Sequence, residues 1–84
     1  MRVSVISAER AVFDGEAEAV VAPAYDGMVG ILNRHAPFMT LLGKGIVKIE
    51  RRRGGESTRL QVAGGFLQVA ANVVRIVAAS ASPA

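Results

Sequence analysis

Two glycines and the only histidine of this 84-residue chain lie within one short apolar stretch. Gly27 and Gly30 stand three positions apart, and glycines so placed could bring backbone N–H groups close to a phosphate. The pair is too short for either nucleotide-binding fingerprint, and no helical pattern follows it to supply N-terminal amides. We therefore interpret both glycines as positions of positive φ or of close backbone approach.

His35 belongs to the residue type that most readily exchanges protons near neutral pH. As a catalytic base it would need a nucleophile and an orienting partner. Ser7 and Thr40 are possible nucleophiles, but no spacing assembles them around the histidine. The sequence therefore predicts no catalytic residue, and we expect a loop histidine that hydrogen-bonds backbone before Ala36-Pro37. A small-ligand site near His35 would instead require a concave pocket, and it is kept as an alternative.

Composition excludes several classes of protein. The chain has no cysteine, which rules out a disulfide framework and any thiolate metal site. With one histidine, a zinc site would depend on carboxylates alone, so no metal or other cofactor is expected. No run reaches the roughly 18 apolar residues of a membrane-spanning helix, and residues 1–5 lack the apolar core of a signal peptide. We expect a soluble, cytoplasmic protein that is at most peripheral to a membrane.

A basic cluster, made of Lys48, Arg51, Arg52 and Arg53, supports a different interpretation. Ten Lys and Arg residues against seven Asp and Glu give a net charge of +3, and small basic domains often bind nucleic acid. Such β-domains usually add exposed aromatic side chains that stack on bases. Here no aromatic residue is interleaved with the arginines. Nucleic acid is therefore not the expected partner, and a basic β-barrel that binds it through this cluster is the alternative.

Short segments in which apolar and polar residues alternate predict an all-β chain. Between positions 46 and 51, Val47 and Ile49 fall on one face, with Lys48 and Glu50 on the other. About eight or nine such strands favour two sheets packed face to face, or a flattened barrel. Turns are expected at five dipeptides: Asp14-Gly15, Asp26-Gly27, Gly54-Gly55, Gly64-Gly65 and Ala71-Asn72.

The chain is short enough to form a single domain. We place this domain at residues 1–79, without a linker or an internal repeat. Residues 80–84 are small and polar, and we expect them to be a short tail, with fraying from residue 78 onward. No segment carries the periodicity of a helix, so no helical domain is expected.

Apolar side chains crowd the region between the second and third expected turns. A domain this thin cannot point all of them inward, and apolar residues that stay exposed usually mark a partner interface. Methionine side chains suit such contacts because they adapt to the partner's shape. The residues of this apolar region are Met28, Val29, Ile31, Leu32, Phe38, Met39, Leu41 and Leu42.

A family resemblance rests on motifs that occur in order along almost the whole chain. They are Val5-Ile6-Ser7-Ala8-Glu9, Phe13-Asp14-Gly15, Gly27-Met28-Val29-Gly30-Ile31-Leu32, His35-Ala36-Pro37, and Gly64-Gly65-Phe66-Leu67-Gln68-Val69 with Asn72-Val73-Val74. Together they are similar to the N-terminal domain of the epsilon subunit of F-type proton-translocating ATP synthases. Asn33-Arg34 departs from the family, which often has Pro-Gly there, and Arg34 would be strained at a positive φ. Gln68 stands where the family commonly has Glu.

The resemblance implies a flattened β-sandwich of about ten strands and a noncatalytic rotor subunit at the foot of the central stalk. Such a subunit docks on the gamma subunit and the c-ring, helps couple proton translocation to ATP synthesis and uses no cofactor. It would be part of a hetero-oligomer at the cytoplasmic face of the bacterial inner membrane. We expect a short form without the C-terminal helical hairpin that family members commonly carry, which can inhibit ATP hydrolysis and in some members binds ATP; a chain cut just before that hairpin is the alternative. The implied interface candidates are Gly27, Met28, Val29, Gly30, His35, Phe38, Met39, Thr40 and Ser7.

Overall fold

The computed structural model describes residues 1–52 and 55–84, and within them the chain is all-β with no helix. This confirms the predicted fold class. Eight strands follow one another along the chain. They are β1 (Arg2–Ser7), β2 (Ala11–Glu16), β3 (Ala19–Ala24), β4 (Gly27–Leu32), β5 (Phe38–Leu41), β6 (Lys44–Glu50), β7 (Ser57–Ala70) and β8 (Val73–Pro83).

The strands form one continuous sheet that folds over into two layers. Its order is β2-β1-β8-β7-β6-β3-β4, and β5 pairs separately with the second half of β7. All pairings are antiparallel except that of β1 with β8. The front sheet consists of β2, β1, residues 73–78 of β8, residues 66–70 of β7, and β5. The back sheet consists of residues 80–83 of β8, residues 57–63 of β7, β6, β3 and β4.

The two long strands turn the corner between the sheets at Gly64-Gly65. In β7, Leu60 and Val62 are buried before the corner and Leu67 and Val69 after it, so the inward positions change parity. Gly64 and Gly65 have φ of +68° and +104°, and strands that switch sheets commonly bend in this way. The expected turn between separate strands is therefore wrong. Counting the halves of β7 and β8 separately turns eight strands into the ten that the resemblance implies.

The core between the sheets is apolar throughout the described residues, with no buried polar or charged side chain. Val47 and Ile49 are fully buried, as their alternation with Lys48 and Glu50 predicts. Burial of side chains of this size contributes roughly 1.5–3 kcal/mol each. The largest fully buried side chains are Ile31, Ile49, Leu67, Ile76, Val3, Val5, Val20, Val47, Val62, Val69 and Val74.

The expected turn at Asp14-Gly15 is also wrong, because both residues lie inside β2. They pair with Ser4 and Val3 of β1, and the Asp14 carboxylate accepts a hydrogen bond from Arg2 Nε at 2.9 Å. The chain instead reverses just after β1, where the Ser7 amide donates to the Arg10 carbonyl at 2.9 Å. Pairing with the neighbouring strand overrides the local turn preference of the dipeptide.

The expected fraying near the end of the chain does not occur. β8 continues to Pro83, and Ser80, Ala81, Ser82 and Pro83 pair with residues 60–63 of β7. Ala81 also packs against the core. Backbone pairing with a long neighbouring strand holds these small residues, although their side chains offer little to pack. The expected division at residue 79 therefore cuts through a strand.

Candidate functional site

An apolar row crosses the outer face of the front sheet. Strand register places Leu41, Phe66, Val77 and Ile6 side by side on four neighbouring strands. Leu41 is 62% exposed and Phe66 37% exposed, while Val77 and Ile6 are half-buried. The solvent face of an antiparallel sheet is normally polar, so an uninterrupted apolar row of this kind indicates a surface that another protein covers.

A second row lies next to the apolar row on the same face and is mostly polar. It consists of Met39, Gln68, Arg75 and Ser4, again on four neighbouring strands. Met39 is exposed and extends the apolar surface beyond Leu41. An open hollow of about 200 Å³ lies beside Arg75, lined by that residue together with Gln68, Ala70 and Val73.

The turn between β3 and β4 carries two more exposed apolar side chains, Tyr25 and Met28. Gly27 starts β4 with φ of +135°, as predicted for a turn glycine. Gly30 differs from that prediction, since its φ is not in the positive range and a Cβ there would meet no atom within 4 Å. The Tyr25 amide donates to the Leu41 carbonyl at 3.0 Å, which joins this turn to one end of the apolar row.

His35 lies in the loop between β4 and β5. Its Nδ1 is 2.7 Å from the Ala36 carbonyl oxygen, to which a protonated Nδ1 donates, and its ring meets Phe38 edge-on at a centroid distance of 5.9 Å. The predicted loop histidine bonded to backbone is confirmed. No carboxylate or hydroxyl among the described residues is bonded to this ring, whereas a catalytic histidine needs such an orienting partner.

The loop that carries His35 is tied to the body of the sandwich by two asparagines. Asn72 Oδ1 accepts a hydrogen bond from the Arg34 amide at 2.8 Å, and Asn33 Oδ1 accepts one from the Met1 amino group at 2.7 Å. The His35 amide donates to the Leu32 carbonyl at 3.2 Å and closes a tight turn. Arg34 occupies that turn with φ of +64°, so the turn keeps a positive φ even though arginine is strained in that conformation.

The structure does not gather the nine interface candidates into one patch. Gly27 and Met28 begin β4 and His35 follows its other end, so about 17–20 Å of strand separates the two positions. Val29 and Phe38 pack against the core, and Thr40 is half-buried opposite Leu67, a core residue. Met28 and Met39 are the exposed large apolar candidates.

The candidate interface residues that sequence reasoning missed are Tyr25, Phe66, Val77 and Ile6. Phe66 and Val77 stand in segments that the alternation correctly predicts as strands, but the change of parity at the corner hides which way they point. Ile6 and Ala11 meet at an irregularity of the β1–β2 register, which obscures their direction in the same way. Ser7, the remaining candidate, follows Ile6, and its hydroxyl lies 3.3 Å from the Arg10 carbonyl oxygen.

Two of the described members of the basic cluster, Lys48 and Arg51, have charged or aromatic neighbours. Lys48 Nζ lies 3.4 Å from a Glu50 carboxylate oxygen, and the Arg51 guanidinium lies over the Phe13 ring at 5.5 Å from its centroid. Arg51 also donates its amide to the Glu56 carbonyl at 3.3 Å. Arg53 of the cluster and Gly54 of the expected Gly54-Gly55 turn lie outside the described residues.

Residues 1–52 and 55–84 also bear on metal binding and on membrane insertion. No group of three or more His, Cys, Asp or Glu side chains is placed to hold a metal ion. No helix among the same residues is long and apolar enough to cross a membrane.

The family model described as "ATP synthase, Delta/Epsilon chain, beta-sandwich domain" matches residues 1–84. The chain belongs to this family. It is 44% identical over 80 residues to the ATP synthase epsilon chain of Chromohalobacter salexigens, which covers 95% of this chain and 56% of the relative. It is 43% identical over 81 residues to ATP synthase epsilon chain 1 of Methylococcus capsulatus, covering 96% and 57%. This delta/epsilon β-sandwich thus spans little more than half the length of the curated relatives it matches.

Solved structures share the same sandwich. A chain of the Euglena gracilis mitochondrial ATP synthase, solved with OSCP, F1 and the c-ring, superposes with a TM-score of 0.87 at 25% identity. That likeness covers 96% of this delta/epsilon β-sandwich and 51% of the Euglena chain. A chain of the Tetrahymena thermophila central stalk and c-ring gives a TM-score of 0.79 at 21% identity, which shows the fold alone. The comparisons do not favour the nucleic-acid alternative.

Proposed function

We propose that this chain is a noncatalytic central-stalk subunit of an F-type ATP synthase. Through the front sheet it docks on the gamma subunit, and through the β3–β4 turn it meets the c-ring. The observation that carries the proposal is the apolar row of Leu41, Phe66, Val77 and Ile6 on the outer face of a sheet. Family membership supplies the partners, because the curated relatives are named ATP synthase epsilon chains.

The front sheet has the anatomy of a docking surface. Its apolar row is bordered by polar groups, among them the Arg2–Asp14 ion pair at 2.9 Å, whose two side chains are 54% and 55% exposed. Interfaces commonly combine an apolar centre with a polar, solvated rim of this kind. The exposed ion pair contributes little to affinity, so we expect the apolar row to dominate binding of the gamma subunit.

The β3–β4 turn is a second contact surface, adjacent to the first. Tyr25 and Met28 protrude from it into solvent, and the Tyr25–Leu41 backbone hydrogen bond fixes its position relative to the apolar row. A turn held in this way can rest on the loops of a c-ring while the front sheet remains on gamma. One rigid body would then contact both parts of the rotor.

The role we propose is mechanical and not chemical. His35 has no catalytic partner among the described residues, and the described core is entirely apolar. Strands β7 and β8 run through both sheets and connect them covalently. The sandwich can therefore carry torque between gamma and the c-ring without one sheet sliding over the other. The subunit would help couple proton translocation to ATP synthesis as part of a hetero-oligomer, peripheral to the cytoplasmic face of the bacterial inner membrane.

The test is an isothermal calorimetric titration of the full chain with recombinant gamma subunit from the same organism, which measures the affinity and the stoichiometry of binding. The wild-type chain should bind gamma with one-to-one stoichiometry. Phe66→Asp should weaken binding by about 30-fold, because it places a charge at the centre of the apolar row. Gln61→Asp is the matched control on the same strand, since Gln61 is exposed on the back sheet. Absence of wild-type binding to folded gamma would reject the proposal.

A further inference from the structure

Arg75 occupies the centre of the outer face of the front sheet, on the third of its five strands. Its side chain is exposed and has no hydrogen-bond or ion-pair partner among the described residues. Its cross-strand neighbours are Gln68 on β7 and Ser4 on β1, both uncharged. Asp14, two strands away in the same row, is already bonded to Arg2. The guanidinium therefore stands alone in the middle of this face.

The hollow of about 200 Å³ beside this guanidinium is lined by Arg75, Gln68, Ala70 and Val73; we call it the Arg75 hollow. Arg75 supplies a planar fork of donors, and the Gln68 amide offers two more. Ala70 and Val73 contribute small apolar walls. A carboxylate on a short apolar stem matches this lining, because guanidinium and carboxylate pair through two parallel hydrogen bonds.

Docking through the apolar row would remove Arg75 from water. Arg75 stands next to Val77 on the outward side of β8, so a partner that covers Val77 and Phe66 also covers the guanidinium. A buried charge without a partner is strongly destabilising. We therefore expect the covering surface to present an anion to Arg75. In a protein partner, that anion is the carboxylate of an Asp or a Glu.

We infer that the Arg75 hollow receives an acidic side chain of the gamma subunit, whose carboxylate pairs with Arg75 and accepts a hydrogen bond from the Gln68 amide. This inference rests on the proposed docking of the front sheet on gamma. It adds a chemical requirement to that docking: the gamma surface opposite β8 carries an Asp or a Glu.

The experiment measures the affinity of the full chain for recombinant gamma subunit from the same organism. Arg75→Glu should weaken binding by about 30-fold or more, and Arg75→Met by about tenfold, because the carboxylate of gamma would be left repelled or unpaired. Gln68→Glu tests the same idea with Arg75 in place. It puts a carboxylate directly opposite Arg75 in the register, and this internal pair should compete with gamma and weaken binding at least threefold.

Arg59→Glu is the matched control. Arg59 is also an exposed arginine and, like Arg75, the third residue of its strand, but it lies on the back sheet opposite Lys48. Its charge reversal should change the affinity less than twofold. All four substitutions are at exposed or half-buried outward positions, so thermal unfolding should confirm that each variant is folded.

The salt dependence of binding provides a second measurement. Wild-type affinity should fall as salt rises from 50 to 500 mM, roughly as expected for screening of an ion pair, and Arg75→Met should be markedly less salt-sensitive. The inference is overturned if wild type, Arg75→Met and Arg75→Glu bind equally while Phe66→Asp still weakens binding. That pattern would leave the docking intact. Failure of wild type itself to bind folded gamma would instead reject the docking, and the inference with it.

Discussion

In the part of the chain that the structure describes, three residues other than glycine adopt a positive φ: Arg34 at 64°, Ala71 at 51° and Asn72 at 60°. All three lie in turns at the same end of the molecule, where Asn72 Oδ1 accepts the hydrogen bond of the Arg34 amide. Asn tolerates this conformation because of its short polar side chain, whereas Arg and Ala are strained by about 1–2 kcal/mol. The turn around His35 is therefore maintained by its hydrogen bonds, against the local preference of Arg34.

At the residue scale, we predict that Arg34→Gly stabilises the protein. Relief of the strain at positive φ exceeds the entropy that glycine adds to the unfolded chain, so the free energy of unfolding should rise by roughly 0.5–1 kcal/mol. Urea denaturation followed by circular dichroism measures this change. Arg10→Gly is the control, because Arg10 is exposed in another turn without a positive φ; it should be neutral or destabilising. A loss of stability in Arg34→Gly would show that the arginine side chain itself holds the turn.

At the scale of the strand, the corner of β7 depends on Gly65. A Cβ there would overlap the carbonyl oxygen of Val77 on β8, and the φ of +104° disfavours any side chain. We predict that Gly65→Ala lowers the free energy of unfolding by roughly 2–4 kcal/mol, from backbone strain and forced displacement together.

Gly30→Ala is the matched control for this prediction. Gly30 also lies in a strand, but a Cβ there meets nothing within 4 Å. The control should change stability by about 0.5 kcal/mol or less, or raise it slightly by reducing the entropy of the unfolded chain. Equal effects of the two substitutions in thermal unfolding would contradict the role of the corner.

The sequence predicts a strand well where one face of the strand is buried and the other is exposed, because apolar and polar residues then alternate. This is the case in β6, where Val47 and Ile49 point inward. It fails where pairing partners decide the structure. Asp14-Gly15 has the composition of a hairpin turn but lies within β2 because Ser4 and Val3 stand opposite. Residues 80–83 look like a frayed tail but pair with β7. The apolar row also depends on strand pairing and could not be predicted from the sequence. Only the register between strands aligns Leu41 with Phe66 and Val77.

At the scale of the whole molecule, docking and folding should be separable. We predict that Met28→Asp weakens binding of the subunit to a c-ring with gamma attached, while thermal stability changes little, because the Met28 side chain is already in solvent. Leu32→Asp is the control: Leu32 is exposed on the same face of β4 but at its other end. Equal loss of c-ring binding in both variants, measured by co-purification, would argue against a contact specific to the turn.

His35→Asp should weaken assembly more than folding. Some loss of stability is also expected, because His35 packs edge-on against Phe38 and bonds the Ala36 carbonyl. Comparing gamma binding with the midpoint of thermal unfolding separates the two effects. A variant that binds gamma normally but unfolds earlier would show that His35 only supports its loop.

The parallel pairing of β1 with β8 has a consequence for how this protein forms in the cell. Arg2 stands beside Val73 in the register. Strand β1 therefore cannot complete its pairing until β8, about 70 residues later in the chain, has been synthesised. Contacts between distant parts of a chain slow folding, because a long loop must close before they form. The front sheet, and with it the apolar row, can be completed only after β8 has left the ribosome. Until then β2 is the only one of its two neighbours with which β1 can pair, and an isolated two-stranded hairpin is at best marginally stable in water.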